Sequence, residues 1–226
     1  MSNSATAKTS TTASSTNSAS NPPPYPLNTG KPVEIVACGA LAGHIRQIAA
    51  RRGWQVVVRP IPAALHNRPQ QIAGHAERVV KTAQASGTKA VIAYADCGTY
   101  GALDDLATTV GVSRLPGLHC YDLYAGAAEI EQLLAQEPGT YLLTDYLIRS
   151  WERSVVEPLG LNRYPELWTD YFGHYTRLVW LAQEATPELE EKAARIAEQF
   201  NLPLTRVPTG TKRLEEALAV LLEETP

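Results

Sequence analysis

Lys89-Ala90-Val91-Ile92-Ala93-Tyr94-Ala95-Asp96-Cys97-Gly98-Thr99 is the stretch on which the fold turns. Seven residues from Lys89 to Ala95 are almost wholly apolar and rich in β-branched and aromatic types. A strand buried on both faces, as in a parallel sheet, reads this way, whereas a half-exposed strand alternates. The run ends abruptly at Asp96-Cys97-Gly98. Upstream, Val33-Glu34-Ile35-Val36-Ala37-Cys38-Gly39 repeats the pattern of strand, cysteine and glycine. Between the two, Leu41 to Arg52 has helical spacing and stops at Gly53, and Gln55 to Val58 reads as a second strand. A helix follows from Pro69 through Gln70 to Ala85, with proline at its first turn.

Downstream, the pattern predicts a helix over 101–109 and a short strand at Ser113-Arg114-Leu115. A helix from Asp122 to Gln136, a strand at Thr140 to Leu143 and a helix from Thr144 to Glu157 follow. Alternation of strand and helix predicts an α/β fold with a doubly wound, mostly parallel sheet, Rossmann-like or flavodoxin-like. The C-terminal part reads as more helical: Glu166 to Gln183 places Leu167, Tyr171, Tyr175, Leu178 and Ala182 on one helical face. Helices over 187–200 and 212–223 flank a short strand at Leu204 to Val207. No internal repeat stands out.

Residues 1–32 differ in kind. They are rich in Ser, Thr, Ala and Asn, then in proline, and offer little apolar surface to offset the entropy of ordering. A disordered tail over 1–32 and a single α/β domain over 33–226 are expected. The tail has no apolar core of a signal peptide, and its lack of arginine argues against a transit peptide. Net charge is −3 and charged residues are 19% of the chain, so no basic footprint for nucleic acid is present. No apolar run is long enough to span a bilayer, so no membrane partner is expected. Three widely spaced cysteines do not make a disulfide framework, which favours a reducing, cytoplasmic location.

Cys38, Cys97 and Cys120 each follow an expected strand and precede an expected helix. In an open parallel sheet such positions share the carboxyl edge, where ligands bind. The three thiols are therefore candidate metal ligands. Three thiolates with one imidazole complete a zinc site, and three cysteines with an open iron suit an iron–sulfur cluster. His66, in the loop after the second strand, and His119, beside Cys120, are candidates for the fourth ligand or for acid–base work, with Asp96 as a further catalytic candidate. His44, one helical turn on, is within reach of the Cys38 end. Gly39, Gly98 and Thr99 sit at turns that open helices, where a cofactor or anion can approach. No G-x-G-x-x-G, Walker or G-x-S-x-G motif is present. Core packing is the better explanation of any one cysteine taken alone, whereas the three at one edge together favour a shared site. Helix capping accounts for Thr144 and Asp145.

Ile35–Leu41, Leu65-His66-Asn67, Tyr94–Thr99, Leu115–Tyr121, Leu143–Leu147 and Tyr171–Tyr175 together resemble the motifs of the "domain of unknown function 1638" family of bacteria and archaea. The resemblance covers nearly all of the chain after Val33, with Ala95 standing where glycine is expected. It implies that the cysteine segments, the His-Asn loop and the aromatic stretch are family hallmarks. It also implies a setting in anaerobic, corrinoid-linked methyl metabolism, with a small-molecule or corrinoid methyl-carrier partner. Three functions follow as expectations: a metal or iron–sulfur protein, catalytic or accessory; a metal-free, racemase-like enzyme using Cys38 and Cys97 as an acid–base thiol pair; or a non-enzymatic binding module. The racemase-like reading expects two similar halves, which the sequence does not display. Oligomeric state is left open.

Overall fold

The computed structural model describes residues 31–224. Most of the expected N-terminal tail, up to residue 30, lies outside the described residues. The chain is α/β, as the alternation predicted, but its strands form two parallel three-stranded sheets rather than one.

The first half contains β1 (Val33–Cys38), α1 (Ala42–Arg52), β2 (Val56–Ile61), α2 (Ile72–Ala85), β3 (Ala90–Ala93) and α3 (Ala102–Val110). Its strand order is β2-β1-β3, and Cys38 pairs in register with Ile61. All four residues of β3 are buried, as the continuous apolar run required. Gly53 closes α1 in a left-handed cap whose N–H reaches Ala49 and Ala50 carbonyls, with Arg51 and Arg52 in the last turn. The expected strand at 113–115 reduces to one parallel bridge between Ile92 and Arg114. Pro116 and Gly117 follow at once, so the segment leaves the sheet after a single pairing.

The second half contains α4 (Asp122–Ala125), α5 (Ala127–Gln136), β4 (Thr140–Thr144), α6 (Asp145–Arg149), a π-helical turn (Glu152–Val156), α7 (Leu167–Phe172), β5 (Arg177–Ala182), α8 (Pro187–Phe200), β6 (Leu204–Pro208) and α9 (Lys212–Glu223). Its strand order is β4-β5-β6. Three expectations need correction. The helix over 122–136 breaks at Gly126, whose φ of 94° lies outside helical geometry. The helix over 144–157 becomes α6 and the π-helical turn. Glu166 to Gln183 is not one helix: α7 ends at Gly173, and Arg177–Ala182 is a strand with all but its first residue buried. Five consecutive apolar residues, Leu178 to Ala182, cover both faces of that strand, which a one-sided helix would not require.

α9 returns to the first half. Leu214, Leu218, Leu221 and Leu222 belong to the core built around β1, β3 and α1. Glu215 on α9 pairs with Arg51 and Arg52 on α1. The second half has its own core, where Tyr141, Trp151, Trp168, Phe172 and Phe200 make mutual ring contacts. No helix among the described residues is long and apolar enough to cross a membrane.

Candidate functional site

The carboxyl end of the first sheet carries all three cysteines. Cys38 is the last residue of β1 and is fully buried. Cys97 follows β3, and its N–H donates to the Leu118 carbonyl at 2.7 Å, holding the two cysteine-bearing loops side by side. Cys120 ends the second of these loops, and both Cys97 and Cys120 are half-buried free thiols.

His66 completes the group. It lies in a 3₁₀ turn (Ala63–Asn67) after β2. Its Nδ1 sits 2.7 Å from the Ala63 carbonyl, so Nδ1–H donates there and Nε2 faces the sulfurs. Nε2 lies 3.9 Å from Cys38 Sγ and 3.4 Å from the Tyr94 hydroxyl. Tyr94 stacks on the imidazole with ring centroids 5.6 Å apart. The glycine after Cys38 makes this possible: a Cβ on Gly39 would fall 2.7 Å from the Ile61 carbonyl oxygen and 3.0 Å from the Ala63 nitrogen. The loop that carries His66 can pass the end of β1 only where no side chain intervenes.

The electrostatics couple these groups. The Cys120 thiol donates to Cys97, and His66 adds a second interaction, so Cys97 is drawn down to about 5 although burial opposes it. Cys120 is raised, first because it donates to Cys97 and then by burial. Burial disfavours a charged His66, but its interactions with the Cys38 and Cys97 sulfurs outweigh this and lift it to about 11. Tyr94 is raised by burial and by the neighbouring sulfurs. The polarity is that of a thiolate beside an imidazolium. Three of the four residues Cys97 to Tyr100 have positive φ: +48° at Cys97, +84° at Gly98 and +52° at Tyr100. Only Gly98 takes such a value freely, so the loop holds strain next to the thiols.

The other predicted residues separate from this cluster. His119 is exposed, its ring lies near Tyr121, and its backbone N–H donates to Asp122. Asp96 serves its own loop: Oδ1 accepts from Thr99 Oγ1 and Gly101 N–H, and Oδ2 from Tyr100 N–H. Burial opposes its ionisation, but these donors hold its carboxyl below the usual value. Thr99 is engaged in that same contact. Gly98 lies 3.6 Å, as a built Cβ, from Pro69, and Gly39 is accounted for by the passing loop. His44 turns away to the Tyr124 hydroxyl at 2.7 Å, and burial lowers its pKa. Sequence reasoning missed Tyr94, whose aromatic ring inside an apolar strand looked like core packing.

Among the described residues, no group of three or more His, Cys, Asp or Glu side chains is arranged so that it could hold a metal ion as it stands. Beside the cluster, a cavity of about 290 Å³ opens between the halves. Ala40, His66 and Cys120 border it on one side, and Tyr141, Thr144 and Phe172 on the other.

The family model described as "Protein of unknown function (DUF1638)" matches residues 60–218, well over half of the chain. No curated protein and no solved structure matches.

Proposed function

The chain belongs to that family of unknown function, and from this premise we propose that it is a soft-metal protein, holding zinc or an iron–sulfur cluster through Cys38, Cys97, Cys120 and His66. The observation that carries the reading is the orientation of His66. Its Nδ1–H is spent on a backbone carbonyl, which turns Nε2 toward the Cys38 sulfur, where release of its proton would free a lone pair for a metal. Metal-binding histidines are oriented in this way, by a hydrogen bond at the nitrogen that does not ligate. Thiolate and imidazole are the donor types that soft and borderline metals take. Bond lengths near 2.3 Å to sulfur and 2.0–2.1 Å to nitrogen put tetrahedral ligands about 3.5 Å apart. The Cys38–His66 separation of 3.9 Å is a few tenths of an ångström wider than that spacing. A bound cation would also offset the repulsion of three crowded thiolates.

The metal would supply Lewis acidity or electron transfer at the cavity mouth. Cys38, Cys97, Cys120 and His66 would hold it, and Tyr94 would fix the plane of the imidazole. The family resemblance adds the setting, methyl-group or corrinoid-linked metabolism in a reducing cytoplasm, with a small-molecule or corrinoid methyl-carrier partner. A second reading is favoured by the absence of a ready-made ligand set among the described residues: a metal-free acid–base site built on the Cys97 thiolate and His66.

Elemental analysis and absorption spectra of anaerobically purified protein decide between them. One zinc per chain, or iron with sulfide and a visible chromophore, is expected. Cys38→Ser, Cys97→Ser, Cys120→Ser and His66→Ala should each strip most of the metal, whereas His119→Ala should keep it. Protein that holds no metal and takes none on reconstitution promotes the acid–base reading.

A further inference from the structure

The cavity beside the cysteines has walls of two kinds. Tyr141, Leu147, Val155 and Phe172 make one side apolar. Arg153 and Ser154 stand at the same cavity, on the π-helical turn. Three consecutive residues, Arg153, Ser154 and Val155, thus reach one cavity. On an α-helix they would fan out by about 100° per residue. The wider turn, closed by the Glu157 N–H donating to the Glu152 carbonyl at 2.9 Å, changes that register. π-helical turns recur at functional sites.

Arg153 is exposed, and among the described residues its side chain has neither a hydrogen bond nor an ion pair. Arg51, Arg52, Arg59, Arg114, Arg177, Arg195 and Arg206 are paired with carboxylates, whereas Arg68, Arg78, Arg149, Arg163 and Arg213 share the unpaired state of Arg153; among the described arginines, Arg153 is the one that lines this cavity. A guanidinium presents a planar fork that suits carboxylate or phosphate oxygens. The opposite wall ends at Cys120 and His66.

We propose that this cavity binds a small organic anion, its apolar body against Tyr141 and Phe172, its acidic group on Arg153, and its far end at Cys120 and His66. The volume of about 290 Å³ sits at the lower limit of small-molecule sites, so the body is about the size of one ring. The inference names the substrate class of the proposed cysteine–histidine site and rests on that reading for the role of the far end. The cavity and its cation stand on their own geometry.

Three probes test it by ligand-observed NMR on the full chain: 3-phenylpropionate, 3-phenylpropanol and propionate. Phenylpropionate should bind. The uncharged alcohol should bind about tenfold more weakly, the worth of one charged hydrogen bond, and propionate no better than the alcohol. Arg153→Gln should abolish the preference for the acid. Leu159→Trp, which fills the cavity, should abolish binding of both aromatic probes, and both variants should keep the wild-type metal content. Equal binding of acid and alcohol, a preference that survives Arg153→Gln, or no binding of any probe at millimolar concentration would overturn the proposal. Metal-loaded protein that ignores all three probes refutes the cavity alone. Metal-free protein that still selects the acid through Arg153 supports the cavity and refutes the metal reading.

Discussion

The carboxyl ends of the two sheets use their polar groups in opposite ways. At the first, His66 Nε2 lies 3.4 Å from the Tyr94 hydroxyl and 3.9 Å from Cys38 Sγ, both long for hydrogen bonds between such groups. At the second, Asp145 is fully buried and fully spent. Its Oδ1 accepts from Trp180 Nε1 at 2.8 Å and Gln183 N–H at 3.2 Å, and its Oδ2 from Glu184 N–H at 2.7 Å. Thr144, just before it, accepts from Leu147 N–H and caps α6. Saturated polar groups stabilise a fold, whereas groups with lone pairs and protons to spare can bind and react. On the proposed reading, the second half would serve as a wall and the first half would carry the chemistry.

The sharpest way to break this contrast is to exchange the roles. Asp145→Ala leaves the Trp180 indole N–H and two backbone N–H groups buried without an acceptor. We expect a loss of about 3–5 kcal/mol in urea denaturation, with metal per folded chain unchanged. A variant that folds normally but loses metal would place chemistry at the second edge.

Gly39→Ala probes the first edge by packing alone. Its new methyl would meet the Ile61 carbonyl at 2.7 Å, a backbone atom that cannot rotate aside. The cost should be about 1–3 kcal/mol. Because the strain is relieved by pushing back the loop that carries His66, metal occupancy should fall as well. Measured together, melting temperature and metal content show whether the His66 loop is held by the glycine.

How much of this was legible in the sequence follows from the same contrast. β1 and β3 are short runs in which nearly every residue is buried, and apolar character reports that directly. A cysteine that ends or follows such a run lies at the carboxyl edge of a parallel sheet, so the positions of Cys38 and Cys97 could be read without coordinates, whereas Cys120 follows a segment that pairs only once. β5 was obscured because Leu167, Tyr171, Tyr175 and Leu178 happen to fall at helical intervals across Gly173. The split into two sheets depends on which strands share hydrogen bonds, and no local pattern encodes that. His119 adjoins Cys120 in sequence but is exposed, whereas His66 arrives from a different loop. Which histidine turns inward is decided by the Ala63 carbonyl and the room left by Gly39.

A smaller effect should distinguish Cys97 from the other thiols once metal is removed. Its pKa of about 5 makes it a thiolate at neutral pH, so iodoacetamide should alkylate it at a rate that no longer rises above pH 6. Cys120→Ser or His66→Ala should slow that reaction about tenfold at pH 6, equivalent to a rise of about two pK units. The signs for stability are opposite. The depressed Cys97 contributes fully above its unfolded value near 8.5, and the contribution fades as pH falls through about 5. The raised His66 contributes fully below about 6.5, and the contribution fades as pH rises through about 11. A rate that climbs steadily from pH 6 to 9 would show an ordinary thiol.

The smallest expected effect concerns the helix that ties the halves together. Glu215 on α9 meets Arg51 and Arg52 on α1, and Glu215 is only 12% exposed in its side chain, while Arg51 is 56% exposed. Burial works against its charge, but the two guanidinium groups prevail and hold its carboxyl below the usual range. A depressed carboxyl stabilises the fold above its unfolded pKa of roughly 4.3, and that contribution is lost as pH falls through the folded value. Because one partner is well solvated, the stabilisation should be only about 0.5–1 kcal/mol. Glu215→Gln should therefore lower stability by this amount at pH 7 and by progressively less below pH 4, measured by urea denaturation across pH. If α9 were merely laid on the surface, the variant and wild type would unfold alike at every pH. If the ion pair also sets the relation between the halves, acid binding at Arg153 should weaken in the same variant while its metal content stays constant.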